Sequence, residues 1–134
     1  MYEYKATIRK IVDGDTADVD IDLGFDCWMH NQRIRLYGVD TPECRTRNKQ
    51  EKAHGLLAKK YVQETLIVGE VYALRTKEKG KFGRYLGEIK VGRTTINKLL
   101  IKEGLAVAYT GQSKKDIAAM HELNRLALVQ EGKL

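Results

Sequence analysis

Cysteine is scarce. The 134 residues hold two, Cys27 and Cys44, too few for a disulfide framework, and both are expected as free thiols. Long apolar runs are missing too. No window approaches the roughly 18 apolar residues of a membrane-spanning helix, so no membrane partner is expected. The opening residues Met1-Tyr-Glu-Tyr-Lys-Ala6 are strand-like and polar, without the apolar region of a secretory leader. The expected setting is the cytoplasm, a phage-encoded protein or the mature form of a secreted one. The three histidines, His30, His54 and His121, lie far apart without ligand spacing, which argues against zinc. Repeats, linkers and low-complexity tracts are absent. Residues 1–134 therefore read as a single domain, expected to be a monomer.

What the chain does have is charge. It is 31% charged and 43% hydrophobic, the balance of a globular protein, with a formal net charge of +6. That sign favours polyanionic partners.

Periodicity gives the elements. Tyr4, Ala6 and Ile8 alternate with Lys5, Thr7 and Arg9, predicting a half-buried strand over 3–12. Asp13-Gly14 is a hairpin turn signal. Ala17, Val19, Ile21 and Leu23 then alternate with Asp18, Asp20 and Asp22, predicting a return strand with an acidic open face. The three aspartates do not make a calcium loop, because the glycine falls one place late and no glutamate stands twelfth. A third strand is expected over 28–37. Residues 44–52 carry Arg45, Arg47, Lys49 and Lys52 and read as a basic loop. A helix is expected over 53–66, with Ala53, Leu56, Leu57 and Tyr61 inward. Strands follow over 70–77 and from Phe82 to 91, joined by a tip at 78–81. Thr95 caps a helix at 96–103 that ends at Gly104. Ser113, with Asp116 three places on, caps a last helix whose expected core stripe is Ile117, Met120, Leu123, Ala127 and Leu128. Strands, helix, strands and two helices describe an α+β domain on a small curled sheet.

Three clusters carry chemistry. Asp13-Gly-Asp15-Thr16 lies at the first hairpin. Arg35, Asp40, Thr41 and Glu43 follow the third strand, where Gly38 and Pro42 break regular pairing. Lys81-Phe-Gly-Arg84 lies at the second hairpin. Together they offer carboxylates for a hard cation, guanidinium forks for a phosphate and a spare glutamate to take a proton from water. That inventory suits phosphodiester hydrolysis.

The chain resembles the staphylococcal nuclease (thermonuclease) family. The resemblance rests on Val12-Asp-Gly-Asp-Thr16, Arg35-x-x-Gly-Val-Asp-Thr-Pro-Glu43 and Lys81-Phe-Gly-Arg84, in order and correctly spaced over roughly residues 4 to 130. It implies an OB-fold, a five-stranded β-barrel with three α-helices. It implies a calcium-dependent endo- and exonuclease that cuts DNA and RNA without strong sequence specificity, prefers single strands and leaves 3′-phosphates. Carried over by motif, Asp15, Asp40 and the Thr41 carbonyl would hold Ca2+. Arg35 and Arg84 would grip the phosphate, Glu43 would activate water, and Asp13 would shape the site from behind. Lys49, Lys81, Phe82 and Tyr109 would contact nucleic acid, alongside the basic runs Arg45 to Lys52 and Arg75 to Lys81. Two departures stand out: Phe82 replaces a tyrosine of the pattern, and Thr110-Gly-Gln-Ser113 is shorter than the family's segment and lacks its second tyrosine. A looser nucleotide pocket is expected. The alternative is a catalytically inactive OB-fold module that only binds nucleic acid.

Overall fold

The structure, a computed structural model, describes residues 2–79 and 84–134. Its elements are β1 (Tyr2–Asp13), β2 (Thr16–Gly24), β3 (Cys27–Leu36), β4 (Val39–Asp40), α1 (Lys49–Thr65), β5 (Val71–Lys79), β6 (Tyr85–Val91), β7 (Thr94–Thr95), α2 (Ile96–Lys102), β8 (Val107–Ala108) and α3 (Lys114–Gln130).

β1 pairs antiparallel with β2 and with β5, β2 with β3, and β5 with β6. A parallel pairing of β3 with β6 joins the two ends and closes a ring of five strands. This is the expected α+β OB barrel with three helices. Closure removes free edges, and inward residues of every strand share one core. Ile8, Val19, Ile34, Leu74 and Ile89 are fully buried there, joined by Ile96 and Leu100 of α2 and Val62 of α1.

Among the register shifts of the barrel, two bear on the expected alternation. The register shifts between Ile8 and Lys10 on β1, and between Val19 and Ile21 against β3. The first shift moves the inward phase from Ala6 and Ile8 to Ile11. The β3 bulge lies opposite Asp20 and the β1 bulge holds Arg9, which reaches it; Asp20 was expected on the open acidic face and is instead 2% exposed. Its carboxylate accepts from the Asn31 amide at 2.9 Å and from Arg9, with His30 Nδ1 at 3.2 Å. Burial alone would raise the Asp20 pKa, but the Asn31 amide and the Arg9 and His30 side chains outweigh it and hold the carboxyl below its usual value.

α1 differs from expectation in start and in face. It begins at Lys49, because the Asn48 side chain accepts from the Gln50 and Glu51 amides and caps it. Lys49 and Lys52 therefore belong to the helix rather than to a loop. Its buried residues are His54, Gly55, Ala58 and Val62, while Leu56 is exposed. Gly55 sets this face. A Cβ there would stand 2.6 Å from the carbonyl oxygens of both Pro42 and Glu43, so only glycine lets the helix cross that turn. The α3 stripe is likewise corrected. Leu128 is buried, Ile117 and Met120 are half-buried, and Leu123 and Ala127 lie exposed.

Candidate active site

The site is assembled where the first hairpin, the end of β3, β4 and α3 meet. Thr16 pairs with Arg35 across the β2–β3 ladder, and the Leu36 amide donates to the Asp15 carbonyl at 2.8 Å. That pairing carries the guanidinium of Arg35 to the hairpin tip. Its Nη1 lies 3.1 Å from Asp15 Oδ2 and its Nη2 3.3 Å from Asp40 Oδ1. Nη1 also donates to the Val39 carbonyl at 3.0 Å. The Arg35 side chain is 16% exposed, so solvent screens these contacts only in part.

Asp15 is held from its other sides as well. Thr16 Oγ1 donates to Oδ1 at 3.0 Å and the Thr41 amide to Oδ2 at 3.3 Å. Gly38, at φ +75°, turns the chain out of β3. Val39 and Asp40 then pair with Ala108 and Val107, and the Tyr109 amide donates to the Gly38 carbonyl at 2.8 Å. Asp40 Oδ2 accepts from His121 Nε2 of α3 at 2.8 Å.

Glu43 sits beside this group. Partial burial of its carboxyl, followed by the charges of Asp15, Asp13, Asp40 and Glu51, pushes its pKa up. The residue as a whole stays exposed, and the surrounding acids add to the effect of burial. Asp13 acts on its neighbour Cys44 as well as on Glu43. Burial comes first in raising the Cys44 thiol pKa, and the Asp13 charge adds to it.

Two clefts adjoin the cluster. One, of about 750 Å3, is lined by Arg35, Tyr37, Arg84 and Tyr109 among others. The second, of about 400 Å3, is lined by Asp40, Thr41, Glu43, Tyr109 and His121 among others. Tyr109 is common to both. Arg35 and Arg84 share a wall because Ile34 pairs with Tyr85 and Arg35 with Leu86 at the barrel closure. The buried Asn97 side chain pins that seam. Its Nδ2 donates to the Tyr37 carbonyl at 2.9 Å and the Gly87 carbonyl at 3.2 Å, and its Oδ1 accepts from the Ile89 amide at 3.4 Å.

The family described as staphylococcal nuclease homologue matches residues 33–132. The chain belongs to that family. It is 36% identical over 102 residues to the thermonuclease of Staphylococcus intermedius, covering 75% of this chain and 57% of that protein. It is 35% identical to the thermonuclease of Staphylococcus hyicus, with the same coverage. The micrococcal nuclease of Shigella flexneri is 28% identical, over 93% of this chain and 70% of its own length. The chain thus spans little more than half of the two thermonucleases.

As a staphylococcal nuclease homologue the chain groups Asp15, Arg35, Asp40, Thr41 and Glu43 around one point, with Arg84 and Tyr109 on the adjoining cleft. Lys49 is exposed on the first turn of α1 and lines neither cleft. Lys81 and Phe82 lie outside the described residues. Of the basic runs, Arg75 faces Glu3 at 3.6 Å, and Lys77 faces Glu88 at 3.5 Å while lying 5.5 Å over the Tyr37 ring. Those two charges are partly compensated within the protein. Arg45 and Arg47 are exposed.

Sequence reasoning missed three residues. Tyr37 served only as the end of a strand, yet it lines the cleft with Tyr109. Asn97 carried no signal beyond being a polar residue in a short helix. His121 was weighed only as a zinc ligand, and nothing local in the chain ties it to Asp40.

Proposed function

We propose that the chain is a calcium-dependent nuclease that hydrolyses phosphodiester bonds of DNA and RNA. The observation that carries this reading is the contact of one guanidinium, Arg35, with both Asp15 and Asp40 beside a glutamate of raised pKa.

The donor set suits a hard divalent ion. Asp15 and Asp40 offer carboxylate oxygens and Thr41 a main-chain carbonyl, all oxygen ligands of the kind calcium takes, with positions left for water and substrate. The crowding of acids that lifts Glu43 is an excess of negative charge that such an ion relieves. Bound there, calcium would withdraw charge from a phosphate oxygen and assist attack at phosphorus.

The chain's own residues supply the rest. Arg35 binds the equatorial phosphate oxygens as a planar fork of donors, and Arg84 neutralises charge toward the leaving oxygen. Glu43 takes a proton from the attacking water. The new bond joins water oxygen to phosphorus. The bond from phosphorus to the 5′ oxygen breaks and that oxygen takes a proton from solvent, leaving a 3′-phosphate and a 5′-hydroxyl. Tyr109 and Tyr37 offer aromatic faces on which a base can stack without being read. Single strands are the better substrate, because only unpaired bases reach such faces.

Incubating the protein with plasmid, denatured DNA and total RNA tests the proposal. Cleavage is expected with calcium, loss of cleavage with chelator, and little turnover with magnesium, whose stricter octahedral demand this open donor set meets poorly. Binding of these nucleic acids without cleavage in calcium would overturn it in favour of a binding module.

A further inference from the structure

His121 makes one side-chain hydrogen bond among the described residues. Its Nε2 lies 2.8 Å from Asp40 Oδ2, and its side chain is 14% exposed. A carboxylate oxygen only accepts, so Nε2 carries the hydrogen. The other ring nitrogen, Nδ1, is buried with no hydrogen-bond partner among the described residues. An apolar side chain would fill this space without burying an unmatched nitrogen. The polar return for placing histidine on this face of α3 is therefore the bond to Asp40.

The ring is also braced. His54 meets it edge-on, with centroids 6.1 Å apart and planes at 89°. His54 is itself fixed, 1% exposed with Nε2 3.0 Å from the Gly104 carbonyl. Asp40, by contrast, stands on β4, a strand of two residues. Its Oδ1 faces Arg35 Nη2 at 3.3 Å. Without His121, the carboxylate could rotate about its own bond and meet Arg35 with either oxygen.

We propose that His121 is a positioning residue that locks the Asp40 carboxylate in the orientation a divalent ion requires, so that docking of α3 and cation affinity are one event. This rests on the calcium reading above. A partner that orients a ligating group in this way is worth about 10–100-fold in metal affinity.

Calorimetric calcium titration of the wild type, His121→Gln and His121→Met tests the assignment. Glutamine and methionine match in length, and only glutamine carries an amide donor. Methionine is expected to weaken calcium binding about 10–100-fold and glutamine to recover most of that loss. Binding of a single-stranded oligonucleotide in chelator should stay within about twofold of wild type in both variants. A methionine variant that binds calcium like wild type overturns the assignment alone. So does one that loses oligonucleotide binding in parallel, since that marks general damage. A wild type that binds no calcium overturns the calcium reading with it. Should the methionine variant not fold, the imidazole 15N spectrum of the wild type decides. Hydrogen on Nε2 with and without calcium is expected, and a bare Nε2 refutes the proposal.

Discussion

Glu43 illustrates a conflict set at the level of one side chain. Its carboxyl is raised by partial burial and then by Asp15, Asp13, Asp40 and Glu51. A carboxyl whose folded pKa lies above its unfolded value binds more protons in the native state between those two values. Stability therefore falls as pH rises through that window, and the charged form remains a burden at neutral pH. In metal-free protein, Glu43→Gln is expected to raise the melting temperature at neutral pH. The gain should shrink as pH drops toward the ordinary glutamate value, which melting curves at several pH values will follow. The same variant should lose about 100-fold or more in turnover while keeping its circular dichroism, since a positioned base contributes on that order. Asn97 answers a different question. Replacing it with alanine leaves the carbonyls of Tyr37 and Gly87 and the amide of Ile89 short of a partner. A loss of about 2 kcal/mol is expected from urea midpoints. The motif residues Asp15, Arg35, Asp40 and Glu43 were legible in sequence because each belongs to a short run with its own turn chemistry. Asn97 and His121 were not, because the Tyr37 carbonyl met by the one and the Asp40 carboxylate met by the other lie 60 and 81 positions away.

Among elements, the caps of α2 and α3 read correctly, while the start of α1 and the helix faces did not. Thr95 accepts from the Lys98 amide and Ser113 from the Asp116 amide, as their spacing predicted. Caps are local, and local rules suffice for them. The face of α1 is decided elsewhere, by how closely the helix approaches Pro42 and Glu43. A counted stripe favoured Leu56; the crossing at Gly55 selects His54, Ala58 and Val62 instead. Gly55→Ala should push the backbone that carries Glu43, because a Cβ 2.6 Å from two carbonyl oxygens cannot be absorbed by a rotating side chain. The expected outcome is a loss of about 1–3 kcal/mol in chemical denaturation, together with a marked fall in turnover. Asp20 makes the same point for strands. Alternation placed it outward, but the bulged residues Arg9 of β1 and His30 and Asn31 of β3 engage its carboxylate, and a bulge is a property of a pair rather than of a strand.

For the molecule as a whole, binding should be governed by charge rather than by base identity. The net charge is +6, and exposed Arg45 and Arg47 follow directly on Glu43. The KM for single-stranded DNA is expected to rise steeply with salt at nearly constant kcat. Each phosphate contact removed, as in Arg45→Ala or Arg47→Ala, should flatten the log–log slope by about 0.7. A slope unchanged by both substitutions would remove these side chains from the nucleic-acid path. The fold class was readable because strand and helix patterns succeed one another plainly along the chain. The pairing of β3 with β6 was not, because no turn joins them.

That pairing has a consequence for the timing of synthesis. Arg35 and Arg84 come to one wall only through the match of Ile34 with Tyr85. A chain still emerging from the ribosome can hold Asp15, Arg35, Asp40 and Glu43 and yet lack the second guanidinium, that of Arg84, until β6 has been made and docked. The two guanidinium groups therefore come to face one cleft in a single late step, as the last stave of the cask is set.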